Sequence, residues 1–212
     1  MQHSAGRKGR FIVFEGLDGS GKSTQIALLE QELKRLGRRV VVTREPTDSA
    51  AGGLIRETLS GQTKRSGAEL AALFLADRIR HNTNPISGIQ NYLNDGVDVL
   101  CDRYYYSSLA YQGLDTDVAW LIACNCTCPE IARPDLCLFL DVDAEQCKQR
   151  VDKGREYLEI FERSAEQLAR IRQNFMEVFA LLQEEENIVF VDALRPPDEV
   201  ARDISDIVHT LG

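Results

Sequence analysis

The stretch RFIVFEGLDGSGKST, residues 10–24, constrains this chain more than any other. It passes from an apolar, β-branched run through a glycine-rich turn into a pattern of helical period. Gly16, Gly21, Lys22 and Ser23 fit G-x-x-x-x-G-K-[ST]. That motif has its meaning only where it leaves a strand and opens a helix, and both contexts are present. Glycines let the backbone take positive φ and turn its N–H groups inward as a cradle. The helix N-terminus adds partial positive charge where phosphate would sit. Gly16, Leu17, Asp18, Gly19, Ser20, Gly21, Lys22, Ser23 and Thr24 are therefore the expected phosphate-binding loop. Lys22 is expected to reach the β- and γ-phosphates of a nucleoside triphosphate, and the Ser23 hydroxyl to ligate Mg²⁺.

The rest of the chain repeats the alternation. Residues 10–15, 38–43, 97–101, 136–142 and 187–191 read as five buried strands, near-continuously apolar as in a parallel sheet covered on both faces. Ile26, Leu29, Leu33 and Leu36 recur at helical steps before Gly37, and Ile160, Leu168, Ile171, Phe175 and Leu182 form a similar stripe. Asp198 to Leu211 reads as a closing helix after two prolines. With neither repeat nor linker, residues 1–212 are expected to form a single α/β domain. Its expected fold is the three-layer, doubly wound P-loop arrangement, with a five-stranded parallel sheet. Residues 1–9 read as a loose basic tail.

Several partner classes are disfavoured. The net charge of −8 argues against broad nucleic-acid binding, though a local arginine cluster can still hold a small anion. No apolar run approaches the ~18 residues that span a bilayer, and the N-terminal residues have no secretory pattern, so the chain reads as cytoplasmic with no membrane partner. Cys101, Cys137 and Cys147 sit in apolar segments and read as buried. The segment CNCTC, residues 124–128, lacks the second pair or the histidines of a zinc site and reads as a helix end.

A triphosphate can serve a switch GTPase or a kinase. A GTPase of this class needs an Asn-Lys-x-Asp segment to read guanine, and no Asn-Lys dipeptide occurs. The kinase reading needs an acid for the metal and arginines for an acceptor. Asp102 and Arg103 follow a predicted strand, at the carboxyl edge where open α/β sheets bind ligands. Asp102 suits Mg²⁺ through water, and Arg103 suits a bidentate phosphate clamp.

Four segments then resemble the thymidylate kinase family: FEGLDGSGKST (14–24), TREP (43–46), LFLADRIRH (73–81) and DRYYYSSLAYQG (102–113). The resemblance spans nearly the whole chain and implies phosphorylation of dTMP to dTDP by MgATP, in a homodimer. It implies that Phe74 stacks on thymine while Arg78, Gln112, Ser107 and Ser108 address the base. Tyr111 would lie under the sugar and exclude a 2′-hydroxyl. Asp18 and Glu45, the latter with Pro46 in TREP, fall near the 3′-hydroxyl. Arg44, Arg56 and Arg103 are candidates for the acceptor phosphate. Tyr104 completes an Asp-Arg-Tyr pattern, whereas Tyr105 and Tyr106 have no implied role beyond packing.

The phosphate loop holds no internal base, so a mobile lid is expected to bring one. Residues 148–158 are the candidate lid, with Arg150 and Arg155 as its catalytic arginines. The Asp-Arg-x-Glu found in many bacterial members is absent there. Leu70, Leu73 and Leu75 on a helix over 68–82 form a candidate dimer face. Two other functions remain open at this point. The acceptor could be another deoxynucleotide or a deoxynucleoside, or the chain could be a catalytically silent nucleotide-binding regulator.

Overall fold

The computed structural model describes residues 8–154, 160–161 and 164–211. Five parallel strands lie in the order β2-β3-β1-β4-β5: β1 Phe11–Glu15, β2 Val40–Arg44, β3 Asp98–Asp102, β4 Leu136–Asp141 and β5 Ile188–Asp192. The helices between them are α1 Lys22–Arg35, α2 Ala50–Leu59, α3 Gly67–Thr83, α4 Ile89–Asn94 and α5 Tyr105–Gln112. They continue with α6 Val118–Cys126, α7 Ala144–Gly154, α8 Ala165–Leu182 and α9 Pro197–His209. This is the P-loop α/β fold that the sequence predicts.

The order explains where a ligand would bind. From β1 the chain leaves toward β2, whereas from the adjacent β3 it leaves toward β4. Connections that diverge from neighbouring strands open a crevice at their carboxyl ends. The phosphate loop follows β1 there, and Asp102 closes β3 with Arg103 directly after it.

The three inner strands are buried almost throughout, as their apolar runs predict. The outer two differ from the expectation of five buried strands. Each has one neighbour only, and Val42 in β2 and Phe190 in β5 are 43% and 49% exposed. The amino edge of the sheet is fastened by one carboxylate. Asp98 opens β3 with its side chain fully buried, and it accepts from the Arg10 backbone N–H and from the guanidinium groups of Arg10 and Arg38. Burial alone would push the Asp98 carboxyl up, but those hydrogen bonds outweigh it and hold it at about 2.

Two other readings need correction. Ile160 does not belong to the helix of Leu168 and Phe175, because α8 begins at Ala165 behind its Ser164 cap. Ile160 instead donates its backbone N–H to the Leu59 carbonyl and packs on a small cluster of Ile55, Leu59 and Leu70. Leu70 is therefore spent inside the protomer and is removed from the candidate dimer face. The CNCTC segment is the helix end it was expected to be, with α6 running to Cys126 and Thr127 as its C-cap. Cys101, Cys137 and Cys147 are fully buried. No helix among the described residues is long and apolar enough to cross a membrane.

Candidate active site

The loop after β1 takes its shape from three glycines with positive φ: Gly16, Gly19 and Gly21 at 140°, 83° and 99°. A Cβ on Gly16 would meet the Leu140 carbonyl oxygen at 2.8 Å, and one on Gly19 would meet that of Cys147 at 2.6 Å. Only glycine lets the loop lie this close to β4 and α7. Gly21 caps α1 without a side-chain hydrogen bond, so the first N–H groups of α1 stay open to a ligand. Lys22 is buried and its Nζ donates to the Gly16 and Leu17 carbonyls at 3.1 and 3.0 Å. Burial, and then the nearby Arg103, lower the Lys22 pKa. An anion placed beside it would reverse that pressure.

Beyond β3, Arg103 is a non-glycine residue with φ of 67°. Such a conformation is uncommon and persists where the surroundings hold it. Here they do. Arg103 pairs with Asp18 at 3.0 Å, donates to the Ser107 hydroxyl at 3.0 Å, and lies 5.2 Å from the centre of the Tyr111 ring. Beneath it, Glu15 ends β1 with its carboxylate fully buried. That carboxylate accepts from the Tyr104 and Ser107 backbone N–H groups at 2.8 and 3.1 Å, and from the Ser107 hydroxyl at 2.6 Å. Glu15 thus caps α5, which has no side-chain cap of its own. Burial raises the Glu15 pKa, against the lowering influence of Arg103.

Both loops open into one cavity of about 830 Å³. Asp18, Gly19, Ser20, Gly21, Lys22, Ser23 and Thr24 line one end. Gly16 and Leu17 do not line it, and they act on it through the carbonyls that hold Lys22. Arg44, Glu45, Pro46, Arg56, Phe74, Arg78, Asp102, Arg103, Ser107, Ser108, Tyr111 and Gln112 line the remainder, and Arg150 reaches in from α7. These residues come from six separate segments of the chain, and the fold brings them together.

Several of them are already engaged. Glu45, ahead of a cis peptide to Pro46, pairs with Arg78 through Oε2 at 2.6 Å and with His81 through Oε1 at 3.0 Å. Arg78 also donates to Ser108 at 3.1 Å and Asn125 at 2.6 Å. Ser107, expected toward a base, turns its hydroxyl to Glu15 and Arg103 instead. Arg56 donates to the Thr47 carbonyl at 2.6 Å, and Arg150 to the Gly19 carbonyl at 3.1 Å. Arg44 is mostly exposed. Arg155 and the second half of the expected lid lie outside the described residues. By contrast, Asp102 Oδ1, Gln112 Oε1, the Tyr111 hydroxyl and Ser20 Oγ are buried with no hydrogen-bond partner among the described residues. Each such atom costs about 1–3 kcal/mol unless something pairs with it.

Sequence reasoning missed Glu15, Asp77 and the far end of the cavity. Asp77 is fully buried on α3 and accepts from the Thr47 N–H at 2.8 Å and from the Thr47 and Ser49 hydroxyls, both at 2.5 Å. It fixes the turn over Thr47 to Ser49 that joins TREP to α2. Glu15 had a readable signal, an acid closing an apolar strand directly before the phosphate loop. Ala193, Arg195, Pro197 and Val200, after β5, form the end of the cavity beside Gln25.

Residues 14–204 match the sequence profile of the family described as thymidylate kinase. The chain is 38% identical to a probable thymidylate kinase of Pyrococcus horikoshii, over 95% of this chain and 96% of the relative. It is 37% identical to one of Thermococcus gammatolerans, again over 95% and 96%.

The chain belongs to the thymidylate kinase family.

Its activity is accordingly phosphoryl transfer from ATP to dTMP. The fold agrees with a solved thymidylate kinase from Candida albicans, with a TM-score of 0.80, 28% identity and coverage of 96% of this chain and 92% of that one. As a thymidylate kinase, the chain has its phosphate loop and its Asp-Arg-Tyr segment on the two strands that flank the crevice.

Proposed function

We propose that MgATP and dTMP meet end to end in this cavity, and that the residues lining it divide the work between phosphates, sugar and base. The observation that carries the reading is the convergence of the phosphate loop, Arg103 and Phe74 on one space. The loop N–H groups hold the ATP phosphates. Lys22 exchanges its two carbonyl partners for the β- and γ-phosphates, and Arg150 moves from the Gly19 carbonyl to the transferring group. The purine lies toward Gln25, Arg195 and Pro197.

On the acceptor side, Arg103 grips the 5′-phosphate with Arg44 and Arg56 near it. Phe74 stacks on thymine, while Arg78, Ser108 and Gln112 address the base edge. The Tyr111 ring lies under the deoxyribose. Asp18 takes the 3′-hydroxyl, and Glu45 acts through the Arg78 it holds. The acceptor oxygen is already anionic, so catalysis rests on position and charge rather than on a base.

The donors present fit Mg²⁺. Ser23 stands at the exposed start of α1, and the buried Asp102 Oδ1 has no other partner among the described residues. Both are oxygen donors, as a hard cation requires, and Asp102 would hold the ion through water. Bound there, Mg²⁺ supplies charge neutralisation at the phosphates.

A homodimer and a cytoplasmic location complete the proposal. With Leu70 buried and Leu73, Leu75 and Ile79 each partly packed inside the protomer, the exposed Ala72 and Ala76 and the open sides of Leu75 and Ile79 present the remaining apolar surface of α3. Six free cysteines suit a reducing compartment.

Titration calorimetry with dTMP tests the site. Phe74→Ala and Arg103→Ala should each weaken binding about tenfold or more, and unchanged affinity in both would refute this placement of the acceptor.

A further inference from the structure

Asn125 stands in the centre of CNCTC, a segment that none of the assigned chemistry uses. Its side chain is 3% exposed, on the last turn of α6. Its Nδ2 donates to the Leu121 carbonyl at 2.9 Å, and its Oδ1 accepts from Arg78 Nη1 at 2.6 Å. These two partners fix the amide. A carbonyl only accepts and a guanidinium only donates, so the flipped orientation would break both bonds. Burial pushes the flanking Cys126 thiol up to about 11, so it is no competing anion beside the arginine at neutral pH.

The consequence lies at Arg78. A guanidinium carries five N–H bonds. Nε donates to Glu45 Oε2 at 2.8 Å, Nη2 donates to Ser108 while standing in ionic contact 2.6 Å from that same Glu45 oxygen, and one Nη1 hydrogen goes to Asn125. The Tyr104 ring lies 5.3 Å below the guanidinium carbon. With the Nε and Nη2 edge set against the Glu45 carboxylate and Ser108, the second Nη1 hydrogen is the one left for a ligand in the cavity that Arg78 lines.

We infer that Asn125 is a positioning residue for base selection. By taking one Nη1 hydrogen, it leaves Arg78 a single donor of fixed direction. A single fixed donor suits a carbonyl oxygen on the pyrimidine and opposes an exocyclic amine at the same place. The C-terminal turn of α6 thereby belongs to the reading of the base, although it does not touch it. This rests on the proposal that Arg78 addresses the base of dTMP.

Steady-state kinetics with dTMP and dCMP at saturating ATP, alongside thermal melts, test it. Asn125→Ala should raise KM for dTMP about tenfold, change kcat less than about twofold, and narrow the preference for dTMP over dCMP by a similar factor. Asn125→Asp keeps an oxygen toward Arg78 but sets its second oxygen against the Leu121 carbonyl. It should retain the preference while its melting temperature falls. Should Asn125→Ala fail to fold, the milder Asn125→Ser reads the same quantities. An unchanged preference in the alanine or serine variant overturns the inference. So does a loss of kcat that is equal for both acceptors and follows stability across all variants. Arg78→Lys separates the two layers. If it leaves the preference intact, the base-reading role of Arg78 fails. If it abolishes the preference while Asn125→Ala does not, only the positioning role fails.

Discussion

Arg103 holds Nη2 3.0 Å from Asp18 Oδ2, so the residue after β3 is tied to the interior of the phosphate loop after β1. The residue proposed to grip the acceptor phosphate and the loop proposed to hold the donor are therefore joined by an ion pair. Arg103→Ala should lower kcat/KM for dTMP by at least ~100-fold, the scale of losing a charge-assisted phosphate clamp. A loss under about threefold would mean that the guanidinium only braces the fold. Arg103→Gly sharpens the comparison, because glycine accepts a φ of 67° without strain. It should lose as much activity while its melting temperature holds or rises.

Arg150 donates to the Gly19 carbonyl across 131 residues of sequence. If that contact is its resting position and the γ-phosphoryl its working one, Arg150→Met should lower kcat about 10- to 100-fold. KM for dTMP should change little. Equal losses in kcat and in dTMP affinity would place Arg150 in acceptor binding instead.

Tyr105 and Tyr106 are fully buried, and both donate to Glu186, at 2.7 and 2.6 Å for the shorter contacts. Glu186→Ala leaves the two buried hydroxyls only each other, at 3.3 Å, and should cost about 1–3 kcal/mol in urea denaturation. Activity at 25 °C should stay within about twofold of wild type. A large loss of activity without a loss of stability would give this cluster a role at the site.

That cluster also shows where reading the sequence stops. The placement of the glycine pattern, Lys22, Asp102 and Arg103 was legible because it is local: a strand end, a turn and a helix start in one short run. The partner of Tyr105 was not. It lies 81 residues away in the run Gln183-Glu184-Glu185-Glu186, which reads as solvent-facing. Arg78 was legible as a donor but not as one whose hydrogens are mostly taken, because Glu45, Ser108 and Asn125 come from three other segments. Edge exposure of β2 and β5 was hidden for a related reason. Strand order is a property of the assembled sheet, and the apolar runs of an edge strand and a central strand look alike.

Asp98 gives the pH dependence of stability. Its carboxyl is held at about 2 in the fold, below its ordinary 3.8, so the unfolded chain takes up the proton first as pH falls. The stabilisation is complete above the ordinary carboxylate range and is lost as pH falls from about 4 toward 2. It amounts to about 1–2 kcal/mol, because solvent near Arg38 screens part of it. Denaturation of wild type and Asp98→Asn at pH 7, 5, 4 and 2 should show a gap that is constant down to about 5 and then narrows. A gap independent of pH would contradict the assignment.

The most direct test of the central claim is an ADP-release assay with ATP and Mg²⁺, run with dTMP, dUMP, dCMP, dGMP and thymidine as acceptors. Turnover should rise far above the ATP-only rate with dTMP, and less with each of the others. If no acceptor raises it above that rate, or if thymidine alone does, the chain does not phosphorylate dTMP.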